Sequence, residues 1–157
     1  MSKIAVFPGT FDPFTNGHYD IVLKGLRLFD KIVIAIGRNA RKKSMFPIEK
    51  RKEWIENVFE GDDRISVEIY EGLTTEYCKE LHAQYILRGL RSTVDFEYER
   101  QIALVNESLN DEVTSVFVMS DQKNGIISST IVRDLILHNG AYQQYIPEEV
   151  RVDEEPL

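Results

Sequence analysis

A chain of 157 residues with 43% hydrophobic side chains is long enough to bury one sizeable core and too short for two, so a single domain over 1–157 is expected. Its 26 acidic against 19 basic residues leave a net charge of −7, a poor footprint for a protein that works on nucleic acid or an anionic membrane, and a small-molecule partner is favoured. No apolar stretch approaches the roughly eighteen residues of a membrane span, and the start MSKIAVF lacks a signal peptide's apolar region and cleavage site, so a cytoplasmic location is expected. Cys78 is the only cysteine, which excludes an intrachain disulfide and a multi-cysteine zinc site; it reads as a small buried residue.

In chain order, short apolar runs alternate with segments of helical period. KIAVFP (3–8), KIVIAIG (31–37), RISVEIY (64–70), QYILRG (84–89) and TSVFVMS (114–120) read as five strands. Residues 32–36 and 116–119 are nearly continuous in apolar side chains, as expected of strands covered on both faces. Ile65, Val67 and Ile69 alternate instead, which predicts a more exposed strand. Between strands, Ile21, Val22, Gly25, Leu26 and Phe29 share one helical face, and so do Ile48, Ile55, Val58 and Phe59 after Pro47, a residue suited to a first helical turn. A third helix is predicted over Leu73 to Ala83 and the longest over 94–109; SSTIVRDLILHNG opens on capping residues and stops at Asn139-Gly140. The order is βα five times over, which predicts an α/β domain with a single doubly wound, five-stranded parallel sheet. The acidic tail from about 147 is expected to be loose.

Sheets of this kind bind ligands beyond the carboxyl ends of their strands, where the strand order reverses, so the segments following each strand are the ones to read for chemistry. GTFDPFTNGHYD (9–20) follows the first strand. Gly9 allows tight geometry or close approach of a ligand, Pro13 restricts the loop, and Thr15 or Asn16 can cap a helix beginning near Gly17. His18 then falls where free backbone N–H groups and the positive end of a helix dipole face outward, a place suited to phosphate. By itself the pattern also fits a loop whose histidine has no function. GRNARKKSMF after the second strand clusters Arg38, Arg41, Lys42 and Lys43, and LRGLRS at the fourth adds Arg88 and Arg91 at the same sheet edge. A cation cluster in an acidic protein calls for an anionic ligand, and phosphates fit. After the fifth strand, Ser128, Ser129 and Thr130 stand at another helix N-terminus, where capping and phosphate binding can coincide. His82, His138 and Trp54 read as structural, and Glu97 and Glu99, two apart on a helix, point to different faces.

PGTFDPFTNGH, KKSMF, RGLRSTVDFEYE and ISST stand in the order and spacing of the bacterial phosphopantetheine adenylyltransferases, which the chain resembles to about Val150. Thr15-Asn16-Gly17-His18 alone resembles the wider superfamily of HxGH-type nucleotidyltransferases with a Rossmann-like fold; the block from RGLR to FEYE narrows it. The resemblance implies transfer of the adenylyl group of ATP to 4′-phosphopantetheine, giving dephospho-coenzyme A and pyrophosphate, with magnesium (Mg2+) and as a homohexamer. It implies that Thr10, Lys42, Thr74 and Arg88 contact phosphopantetheine. It assigns Thr10, Phe11, His18, Gly89, Leu90, Arg91, Glu99 and the run Asn124, Gly125, Ile126, Ile127, Ser128, Ser129 and Thr130 to ATP. His18, Lys42 and Arg91 are implied to be catalytic, with His18 stabilising the transition state. Asp12 is read as a turn residue and is not assigned to the metal. At QKNGIISST the chain departs from the family's pattern: Asn124-Gly125 stands where many relatives have aromatic residues, so this loop is expected to be mobile until nucleotide binds.

Overall fold

The computed structural model describes residues 1–156. Five strands, β1 (Ile4–Gly9), β2 (Lys31–Gly37), β3 (Ile65–Tyr70), β4 (Tyr85–Leu90) and β5 (Thr114–Met119), alternate with α1 (Asn16–Gly25), α2 (Ile48–Val58), α3 (Thr74–Glu80), α4 (Thr93–Leu109) and α5 (Ser129–Leu137). The sheet is parallel throughout in the order β3-β2-β1-β4-β5, so the chain winds outward from β1 in one direction, then returns and winds outward in the other. The reversal lies between β1 and β4. There the pairing is short: Ala5 with Tyr85 and Val6 with Ile86, whereas β1 stays in register with β2 from Ile4 to Gly9. Beyond Val6 the two central strands part, and the gap at their carboxyl ends is where a doubly wound sheet offers a binding crevice.

The period-2 geometry of β2 divides the core. Ile32, Ile34 and Ile36 join Phe7, Phe14, Ile21, Val22, Leu87 and Val132 on one face, and Val33 and Ala35 join Val6, Cys78, Ala83, Ile86 and Val113 on the other. The apolar run at 32–36 is thus covered on both sides. The run at 116–119 is not: β5 is an edge strand with β4 as its one neighbour, its side chains are half-buried, and Met119 is 59% exposed. Continuous apolarity marks two-sided burial only where helices cover both faces, and here it overestimates the cover. β3, the opposite edge, is more exposed than β2, as its alternation implies, but no more so than β5.

Helix boundaries follow local chemistry with two adjustments. Pro47 sits just outside α2, in extended backbone, rather than in its first turn. α3 ends at Glu80, short of Ala83, because His82 takes a left-handed φ of 51°. Asn139 does the same after α5 (φ 54°), and the Gly140 N–H turns back to the Leu135 carbonyl at 2.7 Å. The segment expected to be loose is docked instead: Ile146, Val150 and Val152 are buried in the main core, Asn16 donates to the Gln144 carbonyl at 3.0 Å, and Lys50 lies 3.5 Å from Glu155. Its acidic residues mask three apolar anchors.

Candidate functional site

The crevice at the strand ends is two adjoining cavities. One, of about 1070 Å³, lies over β1, β2 and β4 and is lined by Thr10, Lys42, Thr74 and Arg88 among others, with Tyr70, Met45, Ile102 and Phe117 supplying apolar wall. The other, of about 310 Å³, is lined by Phe11, His18, Gly89, Arg91, Ile127, Ser128, Ser129 and Thr130. Thr10, Lys42, Arg88 and Glu99 border both. The four residues expected at phosphopantetheine thus share the larger cavity, and ten of the fourteen expected at ATP line the smaller one. Leu90, Asn124, Gly125 and Ile126 are not on its wall. Leu90 and Asn124 are buried, while Ile126 is 71% exposed and points outward.

α1 begins as a capping box. The Thr15 hydroxyl accepts from the His18 N–H at 3.3 Å, and His18 Nδ1 accepts from the Thr15 N–H at 3.0 Å. That acceptor role leaves Nε2 as the protonated nitrogen of the neutral ring. The imidazole is wedged among Phe7, Phe11 and Phe14, with ring centroids 6.3, 4.9 and 5.3 Å away. Burial, reinforced by the positive charges of Arg88 and Arg91, lowers its pKa to about 3. His18 is therefore a neutral N–H donor throughout the physiological range. Phe11 itself has a φ of 51°, a left-handed conformation that its buried ring keeps in place. Gly9 is required beside it, since a Cβ there would come within 2.9 Å of the Phe11 ring.

Where β1 and β4 part, Arg88 closes the gap. Its Nη1 donates to the Pro8 carbonyl at 2.7 Å, and its Nε and Nη2 donate to the Glu99 carboxylate at 2.8 and 2.6 Å. Glu99 is thus the positioning partner of Arg88, and Glu97 points to solvent, as their spacing implies. Arg91 pairs with Asp95 at 3.2 Å and reaches the Ile127 carbonyl at 3.1 Å, joining the start of α4 to the loop before α5. Ser128 caps α5 by accepting from the Ile131 N–H, and the Ser129 hydroxyl donates to the Pro13 carbonyl. Thr74 accompanies the Tyr70 hydroxyl at 2.8 Å. Lys42 is exposed on the loop between β2 and α2 and has no ion-pair partner among the described residues.

Sequence reasoning missed two residues. Arg133 lines the smaller cavity, donating to the Asp12 carbonyl at 2.8 Å and to the Thr130 hydroxyl at 3.1 Å. Its place four residues after Ser129, on the same helical face, was the available signal. Arg51, 5% exposed, reaches the Thr10 carbonyl and had no signal beyond lying in an amphipathic helix. The acidic groups around the cavities are engaged: Asp12 accepts two backbone N–H groups, Glu99 holds Arg88, and Asp95 holds Arg91. Among the described residues no three His, Cys, Asp or Glu side chains gather in a metal-binding group, so the donor set does not fit a magnesium ion held by the protein alone.

A family model described as cytidylyltransferase-like matches residues 6–135. A phosphopantetheine adenylyltransferase from Flavobacterium johnsoniae is 49% identical over 148 residues, 94% of this chain and 97% of that one. The chain belongs to the phosphopantetheine adenylyltransferase family. Another member, from Leptospira biflexa, is 46% identical over 96% of this chain and 94% of its own, and one from Nautilia profundicola is 40% identical over 98% and 99%. The family's fold also matches the crystal structure of a bifunctional NMN adenylyltransferase/ADP ribose pyrophosphatase from Francisella tularensis, with a TM-score of 0.67 and 21% identity. That match covers 93% of this chain and 45% of the other, and it bears on fold alone.

Proposed function

We propose that this protein transfers the adenylyl group of ATP to 4′-phosphopantetheine, giving dephospho-coenzyme A and pyrophosphate. The observation that carries the reading is the shared border: Thr10, Lys42 and Arg88 face both a large, partly apolar cavity and a small one rimmed by a helix N-terminus and cations. An extended acceptor in the first and a nucleotide in the second would bring their phosphates together at that border. An oxygen of the acceptor phosphate attacks the α-phosphorus of ATP, a P–O bond forms, and the bond to the β-phosphate breaks in line. The acceptor is already an anion, so no general base is needed. The protein's work is positioning and charge stabilisation: His18 donates its Nε2–H to the transferring phosphoryl group, Lys42 and Arg91 offset charge on the two substrates, and Arg88 anchors the border. Magnesium enters, on this reading, with the nucleotide, as part of the substrate.

Pyrophosphate release with ATP and phosphopantetheine tests this. Release with nicotinamide mononucleotide or a phosphocholine-like acceptor and not with phosphopantetheine would reassign the acceptor. ATP binding without release for any acceptor would make the protein a nucleotide sensor. Dephosphorylated pantetheine is expected to be a very poor acceptor. We further propose a homohexamer in the cytoplasm: Val94, Tyr98, Leu104, Val105 and Leu109 give α4 an exposed apolar surface, and no helix among the described residues is long and apolar enough to cross a membrane. Light scattering at the mass of a single chain would overturn the assembly and leave the chemistry standing.

A further inference from the structure

Two loops that meet at the cavity border are locked together by groups for which the transfer chemistry has no use. Asp12 is 2% exposed, and its carboxylate accepts the backbone N–H groups of Met45 at 2.8 Å and Phe46 at 2.9 Å. In the opposite direction Arg51, 5% exposed, donates its Nε to the Phe46 carbonyl at 3.0 Å and its Nη1 to the Thr10 carbonyl at 2.6 Å. The loop after β1 is therefore tied to the loop after β2 twice, once by a carboxylate and once by a guanidinium. Among the described residues Arg51 has no salt-bridge partner, so its charge is held by two carbonyl oxygens. Burying a cation in this way is unfavourable compared with an apolar side chain of the same length. What an apolar side chain could not supply is the geometry.

We propose that Asp12 and Arg51 form a positioning brace that sets Thr10 against the Lys42 loop and thereby fixes the seat of the acceptor phosphate. The inference rests on the adenylyl-transfer reading for the identity of that phosphate. Thr10 lies two residues before Asp12, and Lys42 lies three before Met45. The Lys42 side chain is exposed, and the Lys42 N–H makes a single turn bond to the Asn39 carbonyl at 3.2 Å. Its approach to the border is therefore inherited from Met45 and Phe46, which the brace holds. Only a planar guanidinium reaches carbonyls on two different loops with fixed angles; a lysine keeps the charge and loses that geometry.

The test compares wild type, Arg51→Lys and Asp12→Asn, each alone and with Lys42→Ala, by steady-state kinetics and by amide exchange at Met45 and Phe46. Arg51→Lys is expected to lower kcat/KM for phosphopantetheine about tenfold or more, with a much smaller change in ATP affinity, and to lose most of that effect once Lys42 is already alanine. Both amides should exchange faster in Arg51→Lys and Asp12→Asn. Equal factors in the two backgrounds, or wild-type kinetics with only a lower melting temperature, would overturn the brace as a positioning device. Should Arg51→Lys fail to fold, Asp12→Asn answers the same question, because its amide NH₂ faces one of the two N–H donors at unchanged volume. A wild type that releases no pyrophosphate with phosphopantetheine refutes the function instead; exchange then decides the brace, which fails if the two amides are unprotected or unaffected by either variant.

Discussion

Arg88 and Lys42 face the same junction between the cavities, yet the fold treats them in opposite ways. Arg88 stands on a central strand, with three hydrogen bonds to Glu99 and Pro8 that fix its guanidinium. Lys42 projects from a loop, exposed and unpaired among the described residues. His18 belongs with Arg88, since its ring is packed among three phenylalanines and its Nδ1 is already occupied. Donors on strand ends and helix starts are ordered when the chain folds, whereas an exposed, unpaired lysine side chain is ordered by the ligand it meets even where the backbone of its loop is already held, so the two kinds of donor contribute to different stages of a reaction. Fixed groups can stabilise a transition state without reorganisation. A mobile cation is better suited to capturing a phosphate and closing on it.

The sharpest way to break this contrast is at His18. His18→Ala should lower kcat by roughly 10²- to 10³-fold, the cost of one preorganised donor, and leave ATP affinity within a few-fold. Retained kcat with a raised KM alone would remove His18 from the fixed, transition-state side. The same histidine sets a pH dependence. In the unfolded chain the ring protonates below about 6.5, whereas in the fold its pKa is lowered to about 3. Protons therefore bind preferentially to the unfolded state, and the stability present above pH 6.5 is lost as pH falls toward 3. Denaturant midpoints at pH 7 and pH 5 should differ more for wild type than for His18→Gln, which does not titrate. Activity should show no histidine limb between pH 6 and 8.

The next largest effect is expected in stability at Arg88. Arg88→Ala leaves the Glu99 carboxylate, 8% exposed, without its two charged donors, and leaving a buried charged acceptor unpaired costs about 3 kcal/mol. A thermal melt within a degree or two of wild type would mean that water replaces the guanidinium freely. Lys42→Ala is expected to behave in the reverse manner. Stability should stay within about 0.5 kcal/mol, as for other exposed substitutions, while loss of a charged hydrogen bond to phosphate, worth about 1.5–3 kcal/mol, should weaken phosphopantetheine roughly ten- to a hundredfold and ATP less. Equal losses for both substrates would place Lys42 with the fixed group.

This contrast also marks what could be read from the sequence. The strands, their parallel order and the convergence of four strand ends on one crevice were legible, because apolar runs, caps and the βα alternation are local signals. That Lys42, Arg88 and Arg91 gather at that crevice was legible for the same reason. The partners that hold those groups were not. Arg88 and Glu99 look like one charge among many until β4 and α4 pack together, and Arg51 meets Thr10 across 41 positions of chain. The docked tail was missed because its acidic composition outweighs three apolar anchors that only the folded core can receive, and the cover of β5 was overread because composition does not say which strand is at the edge.

The smallest expected effect concerns the loop between β5 and α5, which lies near the fixed side although its Asn124-Gly125 pair predicts mobility. Its anchoring begins at Asp121, whose N–H donates to Asp20 at 3.1 Å and whose carboxylate accepts from Lys24 at 2.7 Å. A 3₁₀ turn over Gln122–Asn124 follows, with Asn124 buried, and Gly125 continues it at φ −65° and ψ −22°. No left-handed conformation is used there, so the position does not require glycine. A Cβ would meet the Gln122 carbonyl at 3.4 Å and the Asp121 carbonyl at 3.7 Å, at the tight end of ordinary contact. Gly125→Ala should therefore stabilise the folded loop by about 0.4–1 kcal/mol through the lost freedom of the unfolded chain, and tighten ATP binding slightly if nucleotide must still order this segment. Calorimetry with ATP, together with amide exchange over residues 122–128, distinguishes the cases. Tighter binding and exchange that slows with ATP would put the loop beside Lys42 as a ligand-ordered element. Unchanged affinity and exchange indifferent to ATP would put it with Arg88, already set by the fold, and would take Asn124 and Gly125 off the nucleotide site while leaving Ser128 to Thr130 on it.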